Sequence, residues 1–167
     1  MNKLLLLLLS LLSFGAISQT CLSSIVPTTP TSNFVINTDG TVTDVMFKLT
    51  WMRCSLGQNW VMDTCVGDAS ELNWQQALQA AHGYEFANKK GWRVPNIKEL
   101  ATITERSCVR PAINEELFPN TPSDDFWTST PTIQDIERAW VIAFFNSSNS
   151  VKHKGLFVFT RLVRTAD

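Results

Sequence analysis

The chain has 167 residues, of which 44% are hydrophobic and 17% charged, and its 14 basic and 15 acidic side chains leave a formal charge of −1. This composition excludes a disordered chain and offers no basic field for nucleic acid. The length suits one domain with a real core.

Lys3 supplies a positive start, Leu4 to Phe14 an apolar run, and Ala16-Ile17-Ser18 a small-x-small site. Together they read as a signal peptide over residues 1–18, with Gln19 opening the mature chain. The run is well short of the roughly 20 residues that cross a bilayer, so no stable membrane span is expected after cleavage. Thr20 before Cys21 argues against a lipoprotein, whose lipobox ends in a small residue. Removing residues 1–18 takes away Lys3 alone among the charges and moves the formal charge to −2. The expected location is therefore periplasmic or extracellular. Cys21, Cys54, Cys65 and Cys108 all follow the signal, and an even count in an exported chain favours two disulfides. Three pairings are possible, and spacing does not choose among them. A zinc site is disfavoured, because no C-x-x-C occurs and His82 and His153 are far apart in sequence.

Residues 19–33, with Pro27, Pro30 and several Thr and Ser, read as an extended N-terminal arm, and residues 34–167 as the domain. Phe34-Val35-Ile36 and Thr41-Val42-Thr43 flank Asn37-Thr38-Asp39-Gly40, which predicts a β-hairpin. Asp39 and Asp44 lack the further oxygen ligands of a calcium loop and are read as turn residues. Asn73 with Gln76 makes a capping box, and Trp74, Ala77, Leu78 and Ala81 recur at helical spacing, which predicts a helix of about 12–15 residues. Asn96 with Glu99 predicts a second, shorter helix carrying Ile97, Leu100, Ala101 and Ile103 on its apolar side. Phe118 to Asp125, with two prolines, reads as loop. Trp127 begins a β-rich section, with strands expected at 140–144, 150–154 and 157–164 and a polar turn at Asn146-Ser147-Ser148-Asn149. This order predicts an α+β domain.

Several of these segments share an order with a known family. Leu49-x-Trp51-x-Arg53-Cys54, Trp92-Arg93-x-Pro95-Asn96-x-Lys98-Glu99-Leu100, Pro111-Ala112-Ile113-Asn114, Phe118-Pro119-Asn120-Thr121-Pro122 and Trp127-x-Ser129 resemble the Lcl C-terminal-domain family of bacterial exported proteins. Two departures stand out. Lys48 replaces the turn glycine usual before Leu-x-Trp, so the second turn is expected to differ, and Glu105 sits one residue off the usual Glu-to-Cys spacing. The resemblance implies a C-type-lectin-like fold with two helices and an antiparallel sheet that gathers both ends of the chain. It also implies Cys54–Cys65 around the Gly57-Gln58-x-Trp60 loop, leaving Cys21–Cys108. Because the family includes the terminal domain of a collagen-like adhesin, surface recognition is the expected role, by analogy alone.

The residues themselves offer few chemical candidates. Val94-Pro95-Asn96 lacks the first oxygen of a lectin-type calcium triplet, and no calcium, other metal or cofactor is expected. Trp51, Trp74, Trp92 and Trp140 lie in apolar faces and are assigned to the core, whereas Trp60, in the disulfide loop, and Trp127, beside Asp124 and Asp125, are candidate ligand contacts. Asp124 and Asp125 are adjacent and tend to point apart, which weakens a catalytic pair. Lys152 and Lys154 share a strand face and, with His153, Arg161 and Arg164, form a modest basic strip that either meets an acidic polymer or guards a sheet edge. No nucleophile elbow, metalloprotease motif or phosphate loop occurs. The expectation is a non-enzymatic recognition or adhesion domain that binds a glycan or surface protein. A structural part of an exported assembly is the alternative, and a periplasmic enzyme the remoter one.

Overall fold

The computed structural model describes residues 18–167; the signal peptide expected over residues 1–18 lies almost wholly outside them. In chain order the strands and helices are β1 Thr20–Cys21, β2 Phe34–Ile36, β3 Thr41–Asp44, β4 Leu49–Met52, β5 Asn59–Val61, β6 Thr64–Val66, α1 Trp74–Ala81, α2 Ile97–Thr102, β7 Cys108–Val109, β8 Asp125–Pro131, β9 Arg138–Ala143, β10 Ser148–His153 and β11 Val163–Thr165. They build antiparallel sheets ordered β11-β4-β3-β2 and β10-β9-β8, with two small ribbons, β1-β7 and β5-β6. The architecture is α+β, and no helix among the described residues is long and apolar enough to cross a membrane.

The sheet β10-β9-β8 has a hydrophobic layer on each face. Strand alternation sends Phe126, Ile142 and Phe144 into one cluster with Leu100 of α2, Trp51 and Phe118, and Trp127, Val141 and Ala139 into the other with Ala77 and Ala81 of α1, Trp92 and Leu162. Sheet β11-β4-β3-β2 joins residues from both ends of the domain, pairing Val163 with Trp51 and Trp51 with Val42. Gly40 closes the β2–β3 turn at φ 81°, and a Cβ there would lie 2.6 Å from Trp60 Cγ, so both conformation and space require glycine.

Both capping boxes form: Asn73 accepts from Gln76 N and Asn96 from Lys98 N and Glu99 N, and each third residue reaches back to its cap. Arg93 locks Glu99 from the other side with bonds of 2.6 and 2.7 Å. Lys48 adopts φ 54° in the β3–β4 turn, a left-handed conformation more usual for glycine. Both disulfides form as the resemblance implied, Cys54–Cys65 tying the segment just after β4 to β6 and Cys21–Cys108 across β1-β7.

Four expectations change. Helix α1 has 8 residues rather than 12–15, because His82 leaves helical geometry and Gly83 follows at φ 73°. The strand expected at 157–164 is broken, since Val158 bridges Leu72, Phe159 bridges Phe126, and only Val163–Thr165 joins β4. Meeting three partners in turn within eight residues prevents a single ladder. Ser148 and Asn149 belong to β10, and the turn instead occupies residues 144–147 with Ser147 at φ 63°. Trp74 and Trp140 are half-buried, unlike Trp51 and Trp92, which the core encloses.

Candidate functional site

The segment entering α1 runs beside the end of β10. Trp74 N donates to Lys154 O at 3.0 Å, and Leu72 and Val158 exchange backbone bonds of 3.0 Å. This places Asn73, Trp74, Gln75, Glu137, His153, Lys154 and Gly155 around a groove of ≈ 400 Å³. Trp74 anchors its indole by donating Nε1–H to Thr128 O at 2.8 Å. The Lys154 ammonium sits 4.3 Å from the ring centroid and donates to Ile136 O at 2.6 Å. His153 Nδ1 accepts from Gly155 N, which fixes the Nε2 edge as the remaining hydrogen-bonding atom. The Glu137 carboxylate has no partner among the described residues. An anchored aromatic ring, a cation, an imidazole and a carboxylate therefore share one groove.

On the same sheet face, Lys152 reaches Asp125 at 2.5 Å. With Glu71, Asp124 and Phe157 this pair lines a smaller cavity of ≈ 170 Å³. Asp124 turns back to accept from Asp125 N at 2.7 Å, while the Asp125 carboxylate is held by Lys152. A larger concavity of ≈ 570 Å³, lined by Asn37, Thr38, Asp39, Thr43 and Thr50 among others, lies on the other sheet. It holds no aromatic ring, and its Asp39 carboxylate is occupied by Thr41 N and Oγ1. The groove at Trp74 is chemically the richer one.

The structure redistributes the sequence candidates. Trp127 is fully buried and donates Nε1–H to Leu72 O, so its ring is not open to a ligand. Trp60 is half-buried beneath Arg53, whose guanidinium lies 4.3 Å above the ring and donates to Leu117 O and Glu116 O. The expected basic strip is not assembled: Lys152 is paired, Lys154 is folded onto Trp74, Arg164 binds Asp167 at 2.7 Å, and Arg161 is wholly buried. The five side chains have different neighbours because the strand expected to carry Arg161 and Arg164 does not pair with β10.

Two buried charges escaped the sequence reading. Glu105 Oε1 accepts from Thr28 N, Ser107 N and Ser107 Oγ, and Oε2 from Thr29 N and Oγ1, all at 2.7–3.0 Å. Burial alone would raise its pKa, but bonds from Ser107, Thr28 and Thr29 hold the carboxyl down at about 2. It fastens the N-terminal arm, helped by Gln19, which donates to Pro111 O and Ile113 O. Arg161 donates to the carbonyls of Met52 and Arg53 and to the Thr121 and Ser55 hydroxyls, and lies 4.8 Å over Phe118. Burial pulls its pKa down to about 9, so it stays charged at neutral pH. Its position inside the apolar run Val158 to Val163 was the available signal for burial.

Fold and site thus describe a disulfide-stabilised α+β protein with an aromatic and polar surface groove. The Lcl C-terminal domain family model matches residues 40–164, and the chain belongs to that family. No curated protein matches the chain.

Proposed function

We propose that this is an exported recognition module of C-type-lectin-like fold, which binds a hydroxyl-rich polymer, a glycan, in the Trp74–Lys154 groove without a cofactor. The carrying observation is the Lys154 ammonium over the anchored, half-exposed Trp74 ring, with His153 and Glu137 beside it. An aromatic face packs against sugar C–H groups, while a mixture of donors and acceptors serves hydroxyls better than it serves a polyanion. The family, the two disulfides and the sheet joining both ends of the domain support the lectin-like reading and export. A catalytic reading has less support, because the strongly shifted buried groups, Glu105 and Arg161, serve as internal fasteners.

The test is a glycan-array screen of the oxidised protein beside Lys154→Ala, a change at a half-buried side chain that leaves the backbone contacts of residue 154 in place. The expected result is a set of hits that the variant binds roughly tenfold more weakly. Hits unchanged by the variant would reject the groove. The alternative of a structural part in an assembly draws on one observation, the exposed turn Val45-Met46-Phe47. Silence across the array together with a stable protein partner that is lost in Phe47→Ser would favour it.

A further inference from the structure

The outer edge of β10 is unpaired in a way that points to a specific occupant. β10 ends the sheet β10-β9-β8, and its register with β9 runs unbroken from Ser148 opposite Ala143 to His153 opposite Arg138. Lys154 N donates to Glu137 O, and on the far side of β9 Phe144 N donates to Asp124 O, which together fix the phase of the ladder. Residues 148, 150 and 152 therefore bond inward to β9, while the amides and carbonyls of Asn149 and Val151 point outward. Among the described residues nothing bonds to those four groups. Ser148, Asn149 and Ser150 are exposed.

Such an edge is ordinarily guarded by lysine, proline or a bulge. Here no proline or bulge interrupts the strand, and both lysines turn away from the edge. Lys152 stretches across the sheet to Asp125 on β8, and Lys154 lies over Trp74. The backbone edge is left bare, with small uncharged side chains at 148 to 150.

We propose that β10 pairs antiparallel with β10 of a second copy of this chain, about a two-fold axis at Ser150. In this register each Asn149 faces Val151 of the other copy, and the four outward groups of each strand are all used, giving four backbone bonds. Ser150 meets its symmetry mate at a non-hydrogen-bonded position, where Cα atoms approach to about 4.5 Å and small side chains fit. Lys152 falls opposite Ser148, so no like charges oppose one another. Moving the axis to Val151 would bring in the His153 carbonyl, which Leu156 N already occupies. The two sheets become one of six strands, and the two Trp74 grooves lie on the same face. A polymer ligand would then be held at two points, although the pairing itself does not depend on what the groove binds. The contact is small and polar, so the dimer exchanges with monomer.

Sedimentation velocity of the oxidised protein over a concentration series tests this directly. The expected result is a reversible shift from monomer to dimer. Val151→Pro removes only an outward amide, a position where an edge strand accepts proline, and should leave a monomer at every concentration with an unchanged circular dichroism spectrum. Ser150→Cys should form a disulfide-linked dimer on mild oxidation, since the cross-axis Cα distance is within disulfide range, and Val151→Pro in the same chain should abolish that dimer. The proposal is overturned by a wild-type monomer throughout with no linked Ser150→Cys dimer, or by a dimer that persists in Val151→Pro.

Discussion

Glu105 keeps 3% of its surface exposed and Arg161 none, and among the described residues neither has an oppositely charged partner, yet their surroundings act on them in opposite directions. Around Glu105 three backbone amides and two hydroxyls converge on the carboxylate at 2.7–3.0 Å, and the charged form is favoured well beyond its state in water. Around Arg161 the acceptors are fewer than the donors and Nε has no partner, so desolvation outweighs the bonds. A buried ion is thus a source of stability when its hydrogen-bonding capacity is filled, and a cost when it is not. Glu105 joins the arm to the domain, whereas Arg161 ties the end of β4 to Thr121.

The largest expected effect shares the arm with Glu105. Replacing Cys21 and Cys108 together by Ser should lower stability by about 4 kcal/mol in the chain-entropy model, read from urea unfolding. If the Glu105 contacts hold the arm as described, limited proteolysis of that variant should still spare residues 19–33 under native conditions. Cleavage there at the rate of an unfolded peptide would show that the bridge, and not the carboxylate, docks the arm.

Glu105→Gln comes next, because the amide nitrogen would face donors rather than accept from them. The difference between 4.5 and about 2 in the carboxyl pKa corresponds to about 3 kcal/mol. The native pKa is depressed, so this contribution is complete above about 4.5 and is lost as pH falls toward 2. Wild type should therefore lose stability over that acid range more steeply than Glu105→Gln, in parallel urea titrations. Equal slopes would remove Glu105 from the favourable side of the comparison.

Arg161→Met should cost less, about 1–2 kcal/mol: the Met52 and Arg53 carbonyls lose a donor, but a buried charge is removed and apolar volume is largely kept. Burial lowers the Arg161 pKa, which for a base marks a disfavoured charge, but a guanidinium keeps its proton throughout the titration, so unlike Glu105 it adds no pH dependence. A loss in Arg161→Met larger than that in Glu105→Gln would reverse the ranking of the two charges.

The smallest effect is expected at the β3–β4 turn. Lys48 holds φ 54°, and Lys48→Gly should raise stability by up to about 1 kcal/mol, offset in part by the greater freedom of glycine in the unfolded chain. A loss of stability would mean that Lys48 contributes more than its backbone.

Local features were legible because their partners are close in the chain. Both helix caps complete their boxes within three residues, and the β2–β3 hairpin follows from Asp39-Gly40. The disulfide pairing followed from family resemblance, since the spacing of four cysteines leaves three choices. The buried charges were not legible, because Glu105 meets Thr29 across 76 residues and Arg161 meets Met52 across 109. Trp74 and Trp127 exchanged their expected places for a related reason. Trp127 lies on β8 with Leu72 and α1 over it, while Trp74, at the first position of α1, sits at the margin of that layer. Hydrophobic periodicity describes the face of an element but not how far the neighbouring layer extends over it.

The most direct measurement of the recognition proposal is the glycan array repeated with calcium and with a chelator. Binding that is equal in both conditions and weakened in Lys154→Ala is the expected result. Binding that disappears on chelation would contradict cofactor-free recognition and move the site away from the Trp74 groove.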